Sequence, residues 1–140
     1  MSSNTPGNAK MQHKKRQKKK TGEREFLVET EILTWLNRQP GVFAFKVETG
    51  GYYNKNKGFY QRRRSKFNIK GTSDIIGCYK GQFFAIEVKR EKGGVLSVHQ
   101  KRFIQQVQAM GGKAGVARSI LDAANIIGLQ CQIIEPTCTE

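Results

Sequence analysis

The run Phe83-Phe84-Ala85-Ile86-Glu87-Val88-Lys89 limits the possible folds of this chain more than any other segment. It opens as an unbroken apolar stretch and ends with charges at alternate positions. The opening predicts a buried strand; the ending predicts that Glu87 and Lys89 share one face while Val88 points into the core. Residues 74–79 form a second such run, and Lys80-Gly81 joins the two. A buried strand of this kind belongs to a sheet with helices packed on it.

The flanking segments supply those helices. Val28, Ile32, Trp35 and Leu36 recur at helical spacing, so residues 23–38 are predicted helical, with Pro40-Gly41 as the stop. Residues 42–48 are aromatic and β-branched and read as a strand. Ser97 can cap a helix over 98–110, with Gln100 placed for a capping box. Phe103, Ile104 and Val107 form its apolar stripe, and Gly111-Gly112 end it. A strand over 113–118, a helix over 120–127 and a strand over 131–134 follow. The fold class is α/β, a mixed sheet with flanking helices (α+β in segregation), in the order α-β-(loop)-β-β-α-β-α-β.

The chain has 140 residues, the size of one domain. No run of about twenty apolar residues is present, which excludes a spanning helix. No signal peptide is visible, so an intracellular place is expected: cytoplasm or nucleoid, or nucleus in a eukaryote. Cys78, Cys131 and Cys138 lie far apart, cannot all pair and lack zinc-ligand spacing. Cys78 reads as a small core residue.

Charge points to a polyanionic partner. The chain carries 25 Lys+Arg against 11 Asp+Glu, a net +14. Seven of the bases lie in residues 10–20 and seven in 55–70, and neither segment holds an acid. Together these equal the whole excess, so the remainder is neutral. Residues 1–21 read as a disordered basic arm, and 22–140 as the folded domain. Lys14, Lys15, Arg16, Lys18, Lys19 and Lys20 of the arm are candidates for binding phosphates. The second basic segment interleaves Lys55, Lys57, Arg62, Arg63, Arg64 and Lys66 with Tyr52, Tyr53, Phe59, Tyr60 and Phe67. Such a mixture suits nucleic acid, because rings stack on bases while cations hold phosphates. A β-hairpin whose rings pack on the core is the competing account.

Asp74 follows Gly71-Thr72-Ser73 and begins the first strand of the predicted pair. A tight connection sets it beside Glu87. Two carboxylates a few ångströms apart repel unless a cation lies between them. Few hard oxygen ligands, open to water, suit Mg²⁺. Lys89 is then placed to orient a water or to stabilise charge on a phosphate. An isolated Glu-x-Lys is ordinarily a surface ion pair. Here the basic segment before it, the position of Asp74 and the helix bearing Gln100 favour a site.

Gly71-Thr72-Ser73-Asp74, then Glu87-Val88-Lys89, resembles the Asp…Glu-x-Lys core of the PD-(D/E)XK nuclease superfamily. The later string Leu96-Ser97-Val98-His99-Gln100, with Phe103 and Ala109-Met110-Gly111-Gly112, is similar to the virus-type replication–repair nuclease (VRR-NUC) domain. The resemblance covers about residues 23–120. It implies an αβββαβ core and a metal-dependent phosphodiesterase acting on DNA. It also implies Asp74, Glu87 and the Val88 carbonyl as ligands of Mg²⁺, with Mn²⁺ a possible substitute. Lys89 becomes the catalytic lysine, and Gln100 reaches in from its helix. The superfamily often adds a first-helix glutamate, for which Glu25 is favoured over Glu29, with Glu31 exposed. Branched DNA such as a Holliday junction is the implied substrate and a homo-oligomer the implied assembly. A flap-directed or restriction-like nuclease and a non-catalytic basic DNA-binding module are the alternatives.

Other residues are given ordinary roles. His99 lies about 100° around its helix from Gln100 and is assigned to phosphate or solvent. His13 has no partner, and Trp35 is read as core packing. Gly93-Gly94 lacks the Gly-Lys-Ser/Thr of a phosphate loop.

Overall fold

The structure, a computed structural model, describes residues 7–48, 52–61 and 67–130, with backbone alone for 7–21, 52 and 60. Helix α1 spans Gly7–Arg38. The basic segment expected to be disordered through residue 21 is therefore helical from Gly7 onward. Residues 8–20 contain no Gly, Pro or β-branched residue. Lys, Gln, Arg, Met and Ala are strong helix formers, and extending an existing helix needs no new nucleus.

The main sheet is built from β1 (Val42–Lys46), β4 (Ile75–Tyr79), β5 (Gln82–Val88) and β6 (Lys113–Ala117), in that spatial order. The first two pairings are antiparallel, and β5 pairs with β6 in parallel. A parallel pair needs a crossover, which helix α2 (Val98–Ala109) supplies. Helix α3 (Ile120–Ile127) follows β6. The expected αβββαβ order is present as α1-β1-β4-β5-α2-β6. The strand expected over 131–134 lies outside the described residues. The basic segment forms a separate hairpin of β2 (Tyr52–Asn54) and β3 (Phe59–Gln61).

Two features fix the register around the site. Lys80 and Gly81 both have positive φ, 48° and 81°. That is the backbone of a two-residue turn matched to strand twist. It pairs Tyr79 with Gln82 and, four steps along, Ile75 with Ile86. The next pair outward is Asp74 opposite Glu87. At the other edge, Asn37 of α1 exchanges two hydrogen bonds with the backbone of Ala44 on β1 (3.0 and 3.1 Å). These occupy polar groups on the free side of an edge strand.

The sheet is covered unequally. One face carries Ile75, Phe84, Ile86, Val88 and Ala117 against Ile32 and Leu36 of α1 and Ala123 and Ile127 of α3, with Trp35 packed at the margin. The other carries Ala85 and Ala114 beneath Phe103 and Ile104 of α2. Val88 is fully buried in the first of these clusters, as its alternation with Glu87 and Lys89 predicts. Cys78 is half-buried and unpaired.

Candidate active site

Strand alternation sends Glu87 to the α2 face with Ala85, and carries Asp74 to the same face as Ile76. Asp74 is fixed twice. Its Oδ2 accepts a hydrogen bond from the Val88 N–H (2.8 Å), and its carbonyl accepts one from Val47 N–H (2.8 Å). The carboxylate is thus tied across to β5 and its backbone across to the chain leaving β1.

Glu87 is 1 % exposed, which differs from the open, water-facing carboxylate expected. The α2 helix reaches it from above. Ser97 and Gln100 form the predicted capping box: Ser97 Oγ accepts from Gln100 N–H (3.2 Å), and Gln100 Oε1 accepts from Ser97 N–H (2.8 Å). With its oxygen occupied, the Gln100 amide turns its Nε2 to Glu87 Oε1 as donor. The cap therefore orients the side chain that touches the site. The same Glu87 oxygen accepts from Lys89 Nζ (2.9 Å). Glu87 Oε2 is buried with no hydrogen-bond partner.

Lys89 also meets Glu25 of α1 at 3.4 Å. Glu25, favoured from its position on the apolar stripe, is thus the first-helix glutamate that touches the lysine. Glu29, one turn on, binds Lys46 at the end of β1 instead (2.7 Å), and that ammonium lies over the Phe26 ring, 5.5 Å from its centroid. Glu31 is exposed, as expected. Lys46 was missed in the sequence. Its signal is a lone cation ending an apolar strand, at the sheet end where Asp74 begins.

Four carboxylates (Asp74, Glu87, Glu25 and Glu29) share this region with two ammonium groups (Lys89 and Lys46). Burial raises the Glu87 carboxyl to about 7; the hydrogen bond from Lys89 opposes this and the charge of Asp74 adds to it. Burial also raises Asp74, against the lowering effects of the Val88 N–H and Lys89. Burial alone lowers Lys89, but the hydrogen bond it donates to Glu87 and the charges of Glu87 and Glu25 outweigh it, and its pKa is raised. Lys89 is therefore a firmly protonated ammonium group, suited to stabilising negative charge rather than to taking a proton.

A buried carboxylate oxygen without a partner, beside a second carboxylate raised by burial, is what a divalent ion would relieve. Among the described residues no group of three His, Cys, Asp or Glu side chains gathers to hold an ion. Two carboxylates with a backbone carbonyl at Val88 fit a hard cation that keeps most of its water.

Gly71 joins the two halves of the site. Its φ is +78°, and a Cβ there would sit 2.5 Å from Gln100 N and 2.6 Å from the His99 carbonyl oxygen. His99 itself is exposed. Ser73 beside Asp74 is fully buried, and its Oγ has no partner. Removing a buried hydroxyl that has lost its water bonds recovers about 1 kcal/mol. Ser73→Ala is expected to melt later than the wild type; a lower melting temperature would show that the hydroxyl is satisfied.

The candidate phosphate-binding residues are distributed unevenly. Lys55 and Lys57 are exposed at the tip of the β2–β3 hairpin. Lys14, Lys15, Arg16, Lys18, Lys19 and Lys20 lie on the first half of α1, where only backbone is described. Arg62, Arg63, Arg64 and Lys66 lie outside the described residues. Among the described residues no helix is long and apolar enough to cross a membrane.

No family model matches this chain, and no curated protein does. Among solved structures, the chain is similar to one described as a VRR_NUC domain protein, with 20 % sequence identity, a TM-score of 0.49, and coverage of 74 % of this chain and 84 % of that chain.

Proposed function

We propose that the chain is a Mg²⁺-dependent DNA endonuclease that hydrolyses phosphodiester bonds, with branched DNA as its preferred substrate. The observation that carries this reading is the pairing of Asp74 with a wholly buried Glu87 that has one unpartnered oxygen and one oxygen held by Lys89 and Gln100. An array made only for stability gains nothing from an unpaired buried carboxylate oxygen. The order of Gly71–Asp74, Glu87-Val88-Lys89 and Ser97–Gln100 along the chain supports it further.

Asp74, Glu87 and the Val88 carbonyl are the residues that would hold the cation. When bound there, Mg²⁺ (or Mn²⁺) polarises a phosphoryl oxygen and lowers the pKa of a water. Lys89, kept protonated by Glu87 and Glu25, faces the charge that builds on phosphorus oxygens during attack. Gln100 holds Glu87 in orientation, and Glu25 holds Lys89. The basic residues bring the phosphate backbone to a region that is otherwise negative. The sequence offers few devices for reading base sequence, which favours recognition of backbone and DNA shape. Two copies acting on opposite strands suit a junction, so a homo-oligomer is part of the proposal.

The test uses labelled duplex, flap and four-way junction with the wild-type chain. Cleavage is expected in Mg²⁺ or Mn²⁺ and not in EDTA, with the junction cut fastest. Tight binding without cleavage of any substrate would favour the non-catalytic DNA-binding module. Fastest cutting of the flap would favour a flap-directed enzyme.

Glu25 acts through Lys89, at a longer distance than Glu87 does. Glu25→Gln is expected to slow single-turnover cleavage about tenfold, in the range of groups that position a reacting residue, with substrate binding nearly unchanged. A loss of binding without a change in rate would place Glu25 outside the site.

A further inference from the structure

The β2–β3 hairpin forms a sheet of its own. Among the described residues it makes no broad contact with any helix or with the four-stranded sheet. An isolated two-stranded hairpin is marginal in water. This one is braced from within. Asn54 Oδ1 accepts from the N–H groups of Asn56 (3.0 Å) and Lys57 (3.2 Å), and Asn54 Nδ2 donates to Gln61 Oε1 (2.8 Å). Gly58, at φ +68°, closes the turn.

The rings on this hairpin are not gathered on one face. Tyr53 lies opposite Tyr60, and Phe59 opposite Asn54. Cross-strand partners point the same way, so Tyr53 and Phe59 point to opposite sides. Both are about half exposed, at 52 % and 53 %. Rings that served a core would lie on one side and be covered. Exposed Lys55 and Lys57 form the tip, in a stretch with no acid from Glu48 to Asp74.

We propose that this hairpin is a stacking finger for unpaired DNA bases, which deepens the nuclease reading above and rests on its nucleic-acid substrate. Flat apolar rings beside ammonium groups match a polyanion whose flat apolar faces are open. Base faces are open in single strands and at branch points and are hidden in a continuous duplex. The finger therefore selects DNA with unpaired segments, and its lysines hold the flanking phosphates.

The experiment measures binding of the full chain in EDTA to a labelled dT strand of about 20 nucleotides and to a duplex of equal length. Tyr53→Ala/Phe59→Ala is expected to weaken single-strand binding about tenfold or more and duplex binding less than about twofold. Its salt slope on the single strand should be unchanged, whereas Lys55→Gln/Lys57→Gln should reduce that slope by about 1.4. Phe59→Trp should keep the affinity and show quenched indole emission on adding dT. Equal losses on both DNAs, no loss on the single strand, or an unquenched Trp would overturn the proposal. So would a fall of more than about 2 °C in the melting temperature of the double alanine variant, because the rings would then support the fold. All of these readings are made without cleavage. A chain that binds through the finger but cuts nothing retains this inference and loses the nuclease reading.

Discussion

Glu87→Gln is expected to abolish cleavage, by about a thousandfold or more, and at the same time to make the metal-free protein more stable near pH 8. The two effects share one cause. Folding removes the Glu87 carboxyl from water almost completely, and burial raises it from 4.5 to about 7. A carboxyl raised on folding contributes its full stability below the unfolded value, and that contribution is lost as pH rises through the folded value. The cost is therefore absent near pH 4, grows between about 4.5 and 7, and is complete near pH 8. It reaches about 3 kcal/mol at most, taking 1.36 kcal/mol for each pKa unit. A neutral amide of the same shape avoids it. Its oxygen can still accept from Lys89 and Gln100, and Lys89 retains Glu25. Melting in EDTA at about pH 8 and pH 4 tests this: the variant should gain about 2 kcal/mol at the higher pH and almost nothing at the lower. Added Mg²⁺ should raise the melting temperature of the wild type and not of the variant. A variant less stable than the wild type at pH 8 would mean that the Lys89 pair outweighs burial. Cleavage within tenfold of the wild type would remove Glu87 from the chemistry.

This conflict between charge and burial explains why the sequence revealed some parts of the site and concealed others. The Asp74–Glu87 pairing was legible because one two-residue turn at Lys80-Gly81 propagates its register along both strands. The approach of Gln100 was legible because the capping box is a local pattern, and the same box leaves its amide nitrogen for Glu87. The burial of Glu87 was not. Alternation gives the face a residue points to, but not what covers that face, and here α2 covers it. The split between Glu25 and Glu29 was equally hidden. Both lie on one side of α1 a turn apart, and which lysine each meets depends on how the helix crosses β1 and β5. The basic N-terminal segment is a different case. Its charge suggested disorder, while its residue-by-residue helix preference, attached to a helix already anchored by Ile32 and Leu36, continues α1 back to Gly7.

The second large effect is expected at a residue with no side chain. Gly71→Ala should cost about 3 kcal/mol and slow cleavage in proportion as Gln100 is displaced. Two costs combine. The φ of +78° places a Cβ in the left-handed region, worth about 1–2 kcal/mol. The new methyl also meets the His99 and Gln100 backbone, and a backbone at the start of a capped helix cannot swing aside as a long side chain can. Gly111 isolates the first cost: its φ is +85°, but nothing lies within 4 Å of a Cβ there. Gly111→Ala should therefore cost only about 1–2 kcal/mol. For a chain of this size the Gly71 variant should melt on the order of 10 °C lower. Equal losses in the two variants would mean that the contact with α2 contributes nothing. If the contact matters, relief of the clash must lift the first turn of α2 from the segment leading into Asp74. Gln100 leaves Glu87 with that turn, while Asp74 keeps its bond from Val88 and Lys89 keeps Glu25. The loss should then appear in turnover measured well below the melting temperature, and Mg²⁺-induced stabilisation should weaken rather than vanish. That pattern separates a glycine that sets the distance between helix and strand from one that only permits a turn.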